Sequence, residues 1–259
     1  MKRGSLVSLL LLLASLTGCA SLPPGTQPHP DDRFERFNRG VYKFNDALDR
    51  AVAKPVATAY VKVTPRPIRT GVSNFLANLE SPITIVNELL QGKLKGFGTD
   101  TARLVINTTI GIGGLFDPAT RMGLMAGDED LGQTFGRWGI RSGPYLMLPV
   151  FGPSSVRDGF GRIGDTFAHP RYYIDDDWTR YGLTALDFVD TRAGLLQTDA
   201  VLERSFDRYA FIRNAYLQRR QFQVYDGNPP EEPVEDEEPF EEEPTDVAPA
   251  APADTPAAR

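Results

Sequence analysis

Residues 107–119 read NTTIGIGGLFDPA, a glycine-rich apolar stretch that ends at a proline. If it followed a strand and opened a helix, its glycines could cradle a phosphate and the fold would be α/β. It does neither. Gly111 and Gly113 are followed by Gly114, Leu115 and Phe116, so the G-x-G-x-x-G spacing is absent. The residues before them (Leu94, Phe97, Leu104, Val105 and Thr108) recur at helical spacing. The stretch therefore reads as the end of a helix running into irregular, apolar backbone.

Helical periodicity governs the chain on both sides. Phe34, Phe37, Val41, Phe44 and Leu48 predict an amphipathic helix that starts at the Asp31/Asp32 caps and stops before Pro55. Thr64-Pro65 and Ser81-Pro82 each place a capping residue ahead of a proline suited to a first helical position. Two separate helices are expected there, one carrying Phe75 and Leu79 and the other Ile83 to Leu90. Further helices are expected from Ser154 (Val156, Phe160, Ile163, Phe167), over Trp178–Leu196 and over Thr198–Phe222. Period-two alternation is nowhere long enough to predict a sheet, so the fold class is all-α. Core packing is the simpler destination for each apolar stripe, with contact to acyl chains as the alternative.

Residues 107–153 break this pattern: they are dense in Gly and Pro yet stay apolar. Surface loops are ordinarily polar, and a long irregular segment of this kind is more often functional than not.

The two ends differ from the body. Lys2 and Arg3 precede SLVSLLLLLASL and then LTGC, which ends on the chain's only cysteine, Cys19. About 12 apolar residues make a secretory signal, not a spanning helix, which needs roughly 18 or more. LTGC resembles a bacterial lipobox, so residues 1–18 are expected to be a signal peptide and Cys19 a lipidated anchor followed by a linker to residue 30. Ala20 resembles the sorting position of lipoproteins sent to the outer membrane. Residues 226–259 hold eight of the 21 prolines and carry 12 carboxylates against one arginine, a net −11. The whole chain is −6, which leaves residues 1–225 at +5, or +3 without the signal. The tail is expected to be a disordered acidic spacer.

Recognisable catalytic chemistry is missing. Gly92-Lys93 lacks the rest of a P-loop, and no G-x-S-x-G elbow appears. Of the two histidines, His29 lies in the linker and His169 precedes a proline, so neither a metal site nor a triad is supported. Asp128-Glu129-Asp130 and Asp175-Asp176-Asp177 lack calcium-loop spacing and read as helix caps or solvated faces. A body charge of about +3 on an exported chain argues against nucleic acid. No enzymatic activity, cofactor or metal is expected.

Six segments then carry a resemblance: FNRGVYKFND (37–46), KPVATAY (54–60), PRPIRTGVSNFLANLESPITIVNELLQG (65–92), INTTIGIGGLFDPA (106–119), QTFGRWGIRSGPYLMLPVFGPSSVRD (133–158) and DTRAGLL (190–196). In this order they resemble the MlaA (VacJ) family of outer-membrane phospholipid lipoproteins, over residues 31–225. The resemblance implies a ring- or disc-like arrangement of amphipathic helices with a central pore, lying in the periplasm-facing leaflet of the outer membrane. Its implied partners are phospholipids, an outer-membrane porin trimer and the soluble periplasmic carrier MlaC. Its implied role is to remove phospholipids that have strayed into the outer leaflet. A non-transporting scaffold that binds porins is the alternative, and a lipid hydrolase is disfavoured by the missing nucleophile motif.

On this reading Phe44, Asn45, Gly111, Gly113, Gly114, Gly139 and Arg141 are the expected pore or gate residues. The glycines would permit close packing and unusual dihedrals, Asn45 a polar lining, and Arg141 a cation for a lipid phosphate. A plain C-capped helix followed by a turn remains the alternative reading of 107–119.

Overall fold

The computed structural model describes residues 29–230. The signal peptide, Cys19, the linker up to residue 28 and the tail from residue 231 lie outside the described residues. The helical body lies within one compact unit, which ends at Pro229.

Ten α-helices and one two-stranded hairpin make up the described residues. Helix α1 (Glu35–Leu48) passes through a π-helical turn, Asp49–Ala53, into α2 (Lys54–Val63) without a break. The expected stop before Pro55 is therefore absent. A proline has no N–H to donate, and its ring crowds the carbonyl four residues back. The wider π turn relieves both: the Lys54 N–H donates to the Asp49 carbonyl, five residues back. The helix also begins at Glu35, with no side-chain cap. Asp32, expected as a cap, is instead buried against other helices.

Helix α3 (Arg66–Leu90) is one element of 25 residues, with Pro82 inside it. The two helices expected on either side of Ser81-Pro82 are joined because the apolar spacing stays in phase across the proline and α3 packs along α4 (Leu94–Thr109). Ser81 is not a cap: its hydroxyl donates to the Ala77 carbonyl (3.1 Å). Short α5 (Pro118–Arg121) and α6 (Leu131–Arg137) follow, capped by Asp117 and Asp130.

Strands β1 (Tyr145–Leu148) and β2 (Gly152–Ser155) pair antiparallel, Tyr145 opposite Ser155 and Leu148 opposite Gly152. This hairpin is not anticipated by the pattern. All four residues of β1 are apolar, which hides a period of two in which Tyr145 and Met147 are buried and Leu146 and Leu148 less so. Helix α7 (Val156–Ala168) follows, capped by Ser155, then a 3-10 turn (Pro170–Tyr173) and α8 (Asp177–Leu195), capped by Asp176. The segment expected as one helix over 198–222 is two, α9 (Asp199–Arg204) and α10 (Arg208–Val224). Asp207 caps α10 through the Ala210 N–H.

The apolar core is small: Val41, Tyr145, Met147 and Tyr209, with Phe37, Tyr42 and Tyr216 against them. Beside it lies a buried polar hub. Asp32 accepts from Asn38 Nδ2 (2.8 Å), from the Tyr209 hydroxyl and from Arg213 (3.3 Å). Arg39 bridges Glu35 (2.8 Å) and Asp207 (2.6 Å), tying α1 to α10. Among the described residues nine apolar side chains are buried and sixteen polar or charged ones, an inversion of the usual preference. No helix of the described residues is long and apolar enough to cross a membrane.

Removing one partner of a buried ionic cluster leaves the others desolvated and unpaired, at a cost of about 3–5 kcal/mol. Asp32→Ala is accordingly expected to lower the urea midpoint of unfolding sharply, whereas truncating the exposed pair Arg50–Asp46 leaves it within error.

Candidate functional site

A cavity of about 900 Å³ opens inside the helical body. Helix α7 shows how it is built. Its residues Asp158, Arg162, Asp165 and Thr166 line the cavity, at helical spacings that put them on one face. The apolar residues of the same helix, Phe160, Ile163 and Phe167, are 57–65% exposed on the outside. Core packing, the simpler expectation for this stripe, does not hold: the polar face points in and the apolar face out. Phe34, just ahead of α1, and Phe44 on α1 are likewise exposed, while Val41 between them is buried.

The opposite wall comes from α3 and α4. Asn74 and Asn78 line the cavity from α3, Asp100, Arg103 and Asn107 from α4. Asp117 closes this corner, accepting from Arg103 (3.0 Å), Asn107 (3.0 Å), and the Thr120 N–H (3.0 Å) and hydroxyl (2.6 Å). Burial alone would raise its pKa, but these donors bring it down to about 2. From α10, Arg220 reaches Asp130 (2.5 Å) and Asp158 (3.0 Å), joining α6, α7 and α10. His169 is pushed down to about 4 by burial and then by the Arg171 charge, so the imidazole stays neutral at pH 7.

A second buried cluster backs the α3–α4 wall. The Glu88 carboxyl lies against Asp100, and Gly127 approaches so closely that a Cβ there would sit 2.8 Å from Asp100 Oδ2 and 3.0 Å from Glu88 Oε1. Burial, followed by the Asp100 charge, pushes Glu88 up to about 8. Among the described residues no group of three or more His, Cys, Asp or Glu is arranged to hold a metal ion.

None of Phe44, Asn45, Gly111, Gly113, Gly114, Gly139 and Arg141 lines the cavity, and the structure brings them to three places. Asn45 clamps the hairpin turn, its Nδ2 donating to the Leu148 carbonyl (2.9 Å) and its Oδ1 accepting from the Val150 N–H (2.8 Å). Phe44 is its neighbour on α1. Gly139 (φ +87°) and the exposed Arg141 follow α6. Gly111, Gly113 and Gly114 end α4 in a tight cap, with Gly111 N–H bonded to Ile106 O (3.1 Å) and Gly113 N–H to Thr108 O (2.9 Å). A Cβ on Gly114 would sit 2.5 Å from Asn78 Cβ, so this turn is pressed against a cavity-lining residue. Ile112, Gly113 and Gly114 are consecutively left-handed (φ +54°, +67° and +90°), and for a β-branched residue this is strained backbone. Of residues 107–119, Asn107 and Asp117 reach the cavity. Phe151 reaches it from the hairpin turn, next to Val150 at φ +69°.

The lining of α7 is missed by sequence reasoning because an amphipathic helix states that it has two faces, not which one is inside. The i, i+4, i+7, i+8 recurrence of Asp158, Arg162, Asp165 and Thr166 is the available signal.

A carboxyl whose folded pKa is raised binds its proton more tightly in the folded state. Glu88 therefore stabilises the fold fully below its ordinary value of 4.5, and that contribution is lost as pH rises through about 8. Chemical denaturation at pH 6 and pH 9 is expected to show lower stability at pH 9, with the difference reduced in Glu88→Gln. An unchanged pH dependence in that variant would contradict the assignment.

The described geometry coincides with a known lineage. A family described as MlaA lipoprotein matches residues 30–223. The intermembrane phospholipid transport system lipoprotein MlaA of Escherichia coli K12 is 37% identical over 226 residues, covering 84% of this chain and 87% of that protein. The protein of the same name from Haemophilus influenzae is 33% identical, covering 88% and 93%. A chain solved in work on the structural basis for maintenance of bacterial outer membrane lipid asymmetry superposes with a TM-score of 0.68 at 36% identity, covering 74% of this chain and 98% of that one. A mostly helical body around a cavity lined largely by polar and charged residues, and a match over nearly all the described residues, place this chain in the MlaA lipoprotein family.

Proposed function

We propose that this chain is an outer-membrane lipoprotein that takes phospholipids out of the outer leaflet and passes them intact to a soluble periplasmic carrier of the MlaC kind. The observation that carries this reading is the reversal on α7, where Arg162, Asp165 and Thr166 face a cavity and Phe160, Ile163 and Phe167 face out.

A lipid in transit has two needs. Its tails lose roughly 0.8 kcal/mol for each methylene pushed into water, and its charged head costs several kcal/mol if buried without partners. A polar cavity answers the second need, and an apolar exterior sunk in one leaflet answers the first. No bond is made or broken, in keeping with a lining of paired arginines and carboxylates and no activated nucleophile motif.

Lipidation of Cys19 would hold the body at the periplasm-facing leaflet, because two or more acyl chains anchor stably where one does not. The exposed apolar helix faces then meet acyl chains and, over part of their extent, a porin trimer. Segment 107–119, which reaches the cavity through Asn107 and Asp117, and the turn at Val150-Phe151, which reaches it through Phe151, would form its rim or gate. Gly113, left-handed with open space around it, would let the first of these move, and Gly139, equally unobstructed, would give the segment after α6 the same freedom.

Deleting the protein is expected to raise phospholipid at the cell surface, with restoration by the wild-type chain but not by Cys19→Ala. Labelled phospholipid is expected to reach a periplasmic acceptor with both acyl chains in place. Lyso-products would support a hydrolase instead, and no transfer would support a scaffold. Gly113→Leu or Gly139→Leu is expected to alter surface phospholipid while the protein still accumulates; unchanged levels would remove the gate.

A further inference from the structure

The cavity lining contains nine carboxylates and five guanidiniums. Four of the guanidiniums are committed: Arg103 to Asp117 (3.0 Å), Arg171 to Asp187 (2.8 Å) and Glu80 (3.2 Å), Arg180 to Asp177, and Arg220 to Asp130 (2.5 Å) and Asp158 (3.0 Å). Arg162 differs. Among the described residues no carboxylate lies within ion-pair distance of it. Its contacts are a long hydrogen bond to the Phe151 carbonyl (3.5 Å) and the Phe151 ring, whose centroid is 5.8 Å from its Cζ.

An arginine kept free of carboxylates in an acid-rich lining is available to a ligand anion. The planar guanidinium matches two phosphate oxygens at once, and a bond between charged partners is roughly twice as strong as a neutral one. Phe151 stands next to it on the hairpin turn, 69% exposed, and offers an apolar edge where glycerol and acyl carbons would leave the phosphate.

The remaining charge constrains the rest of the headgroup. With carboxylates in excess and His169 neutral, the lining repels a ligand whose net charge is negative. It accepts one whose phosphate is accompanied by an amine. Glu80, half exposed and sharing one guanidinium with Asp187, is a carboxylate of this kind.

We infer that Arg162 is the phosphate-binding residue of the cavity, and that the cavity favours amine-bearing zwitterionic glycerophospholipids, the phosphatidylethanolamine class, over anionic ones. This rests on the phospholipid-transport reading.

The test uses the full-length lipidated protein in bilayers of equal phosphatidylethanolamine and phosphatidylglycerol, with the photo-crosslinker p-benzoylphenylalanine replacing Thr184, a cavity-lining residue on α8. Adducts are identified by mass spectrometry. Wild-type background is expected to give mainly phosphatidylethanolamine adducts. Arg162→Gln is expected to reduce them about tenfold, one decade in an equilibrium constant, and Arg162→Lys to retain most of the yield. The thermal midpoint of Arg162→Gln should match wild type, since no ion pair is removed. Undiminished adducts in Arg162→Gln, or preferential capture of phosphatidylglycerol, would overturn the assignment while leaving lipid transport intact. An absence of phospholipid adducts in the wild-type background would instead sink the transport reading.

Discussion

Paired charges between distant helices hold this body open. A fold of this length ordinarily closes around apolar side chains, but here the buried apolar cluster is confined to the junction of α1, β1 and α10. Elsewhere the elements are joined by guanidiniums: Arg192 to Asp49 (2.6 Å) and Asp199 (3.0 Å), and Arg220 to Asp130 and Asp158. Such links are directional and of fixed length, so they brace helices at a distance without requiring the space between them to be filled. Hydrophobic burial has no such property, since it rewards any collapse that removes apolar area from water. A cavity of about 900 Å³ survives because its walls are braced by bonds that collapse would break.

The medium decides whether this arrangement is stable. Leaving Phe160, Ile163 and Phe167 outside forgoes roughly 1.5–3 kcal/mol for each large side chain when the outside is water. In acyl chains that loss disappears, and the polar faces have nowhere to turn but inward. The same logic strengthens the ion pairs, which are weakly screened where water is scarce. On the proposed placement in one leaflet, the inversion on α7 and the ionic bracing are two consequences of one partition.

Most helices are legible in the sequence because their periodicity does not depend on which side is solvent. The stripes of α4, α7 and α8 locate those elements even though the outward face of α7 is apolar. Boundaries fail where tertiary bonding overrides a local signal. Pro55 and Pro82 read as stops, yet a π turn accommodates the first, and a long packing seam between α3 and α4 carries the second. The hairpin fails for another reason: a strand whose two faces are both apolar leaves no alternation to read. Gly111, Gly113 and Gly114 are legible as unusual backbone and do adopt a tight cap with left-handed residues. The cavity lining is not legible, because Arg162 and Asp165 look like any solvated helix face until the location of the hollow is known.

The asparagines show how irregular backbone is tolerated here. Asn38 donates to the Tyr145 carbonyl and accepts from the Met147 N–H; Asn45 does the same for Leu148 and Val150. Asn107 accepts from the Ala119 N–H (3.2 Å), and Asn74 donates to the Leu115 carbonyl (3.3 Å). A primary amide has the donor and acceptor of a peptide group, so each of these side chains stands in for part of a missing neighbouring strand or turn. Ordinary loops leave that task to water, which a segment at the membrane depth proposed above would lack. Placed on the helices α1, α3 and α4, these amides supply the hairpin and the segment after α4 with backbone partners that regular secondary structure would otherwise provide. The strained residues Ile112 and Val150 sit on those two segments. The irregular parts of the cavity's edge are therefore held by side chains of its rigid parts, and a change in their conformation must break specific, nameable amide contacts.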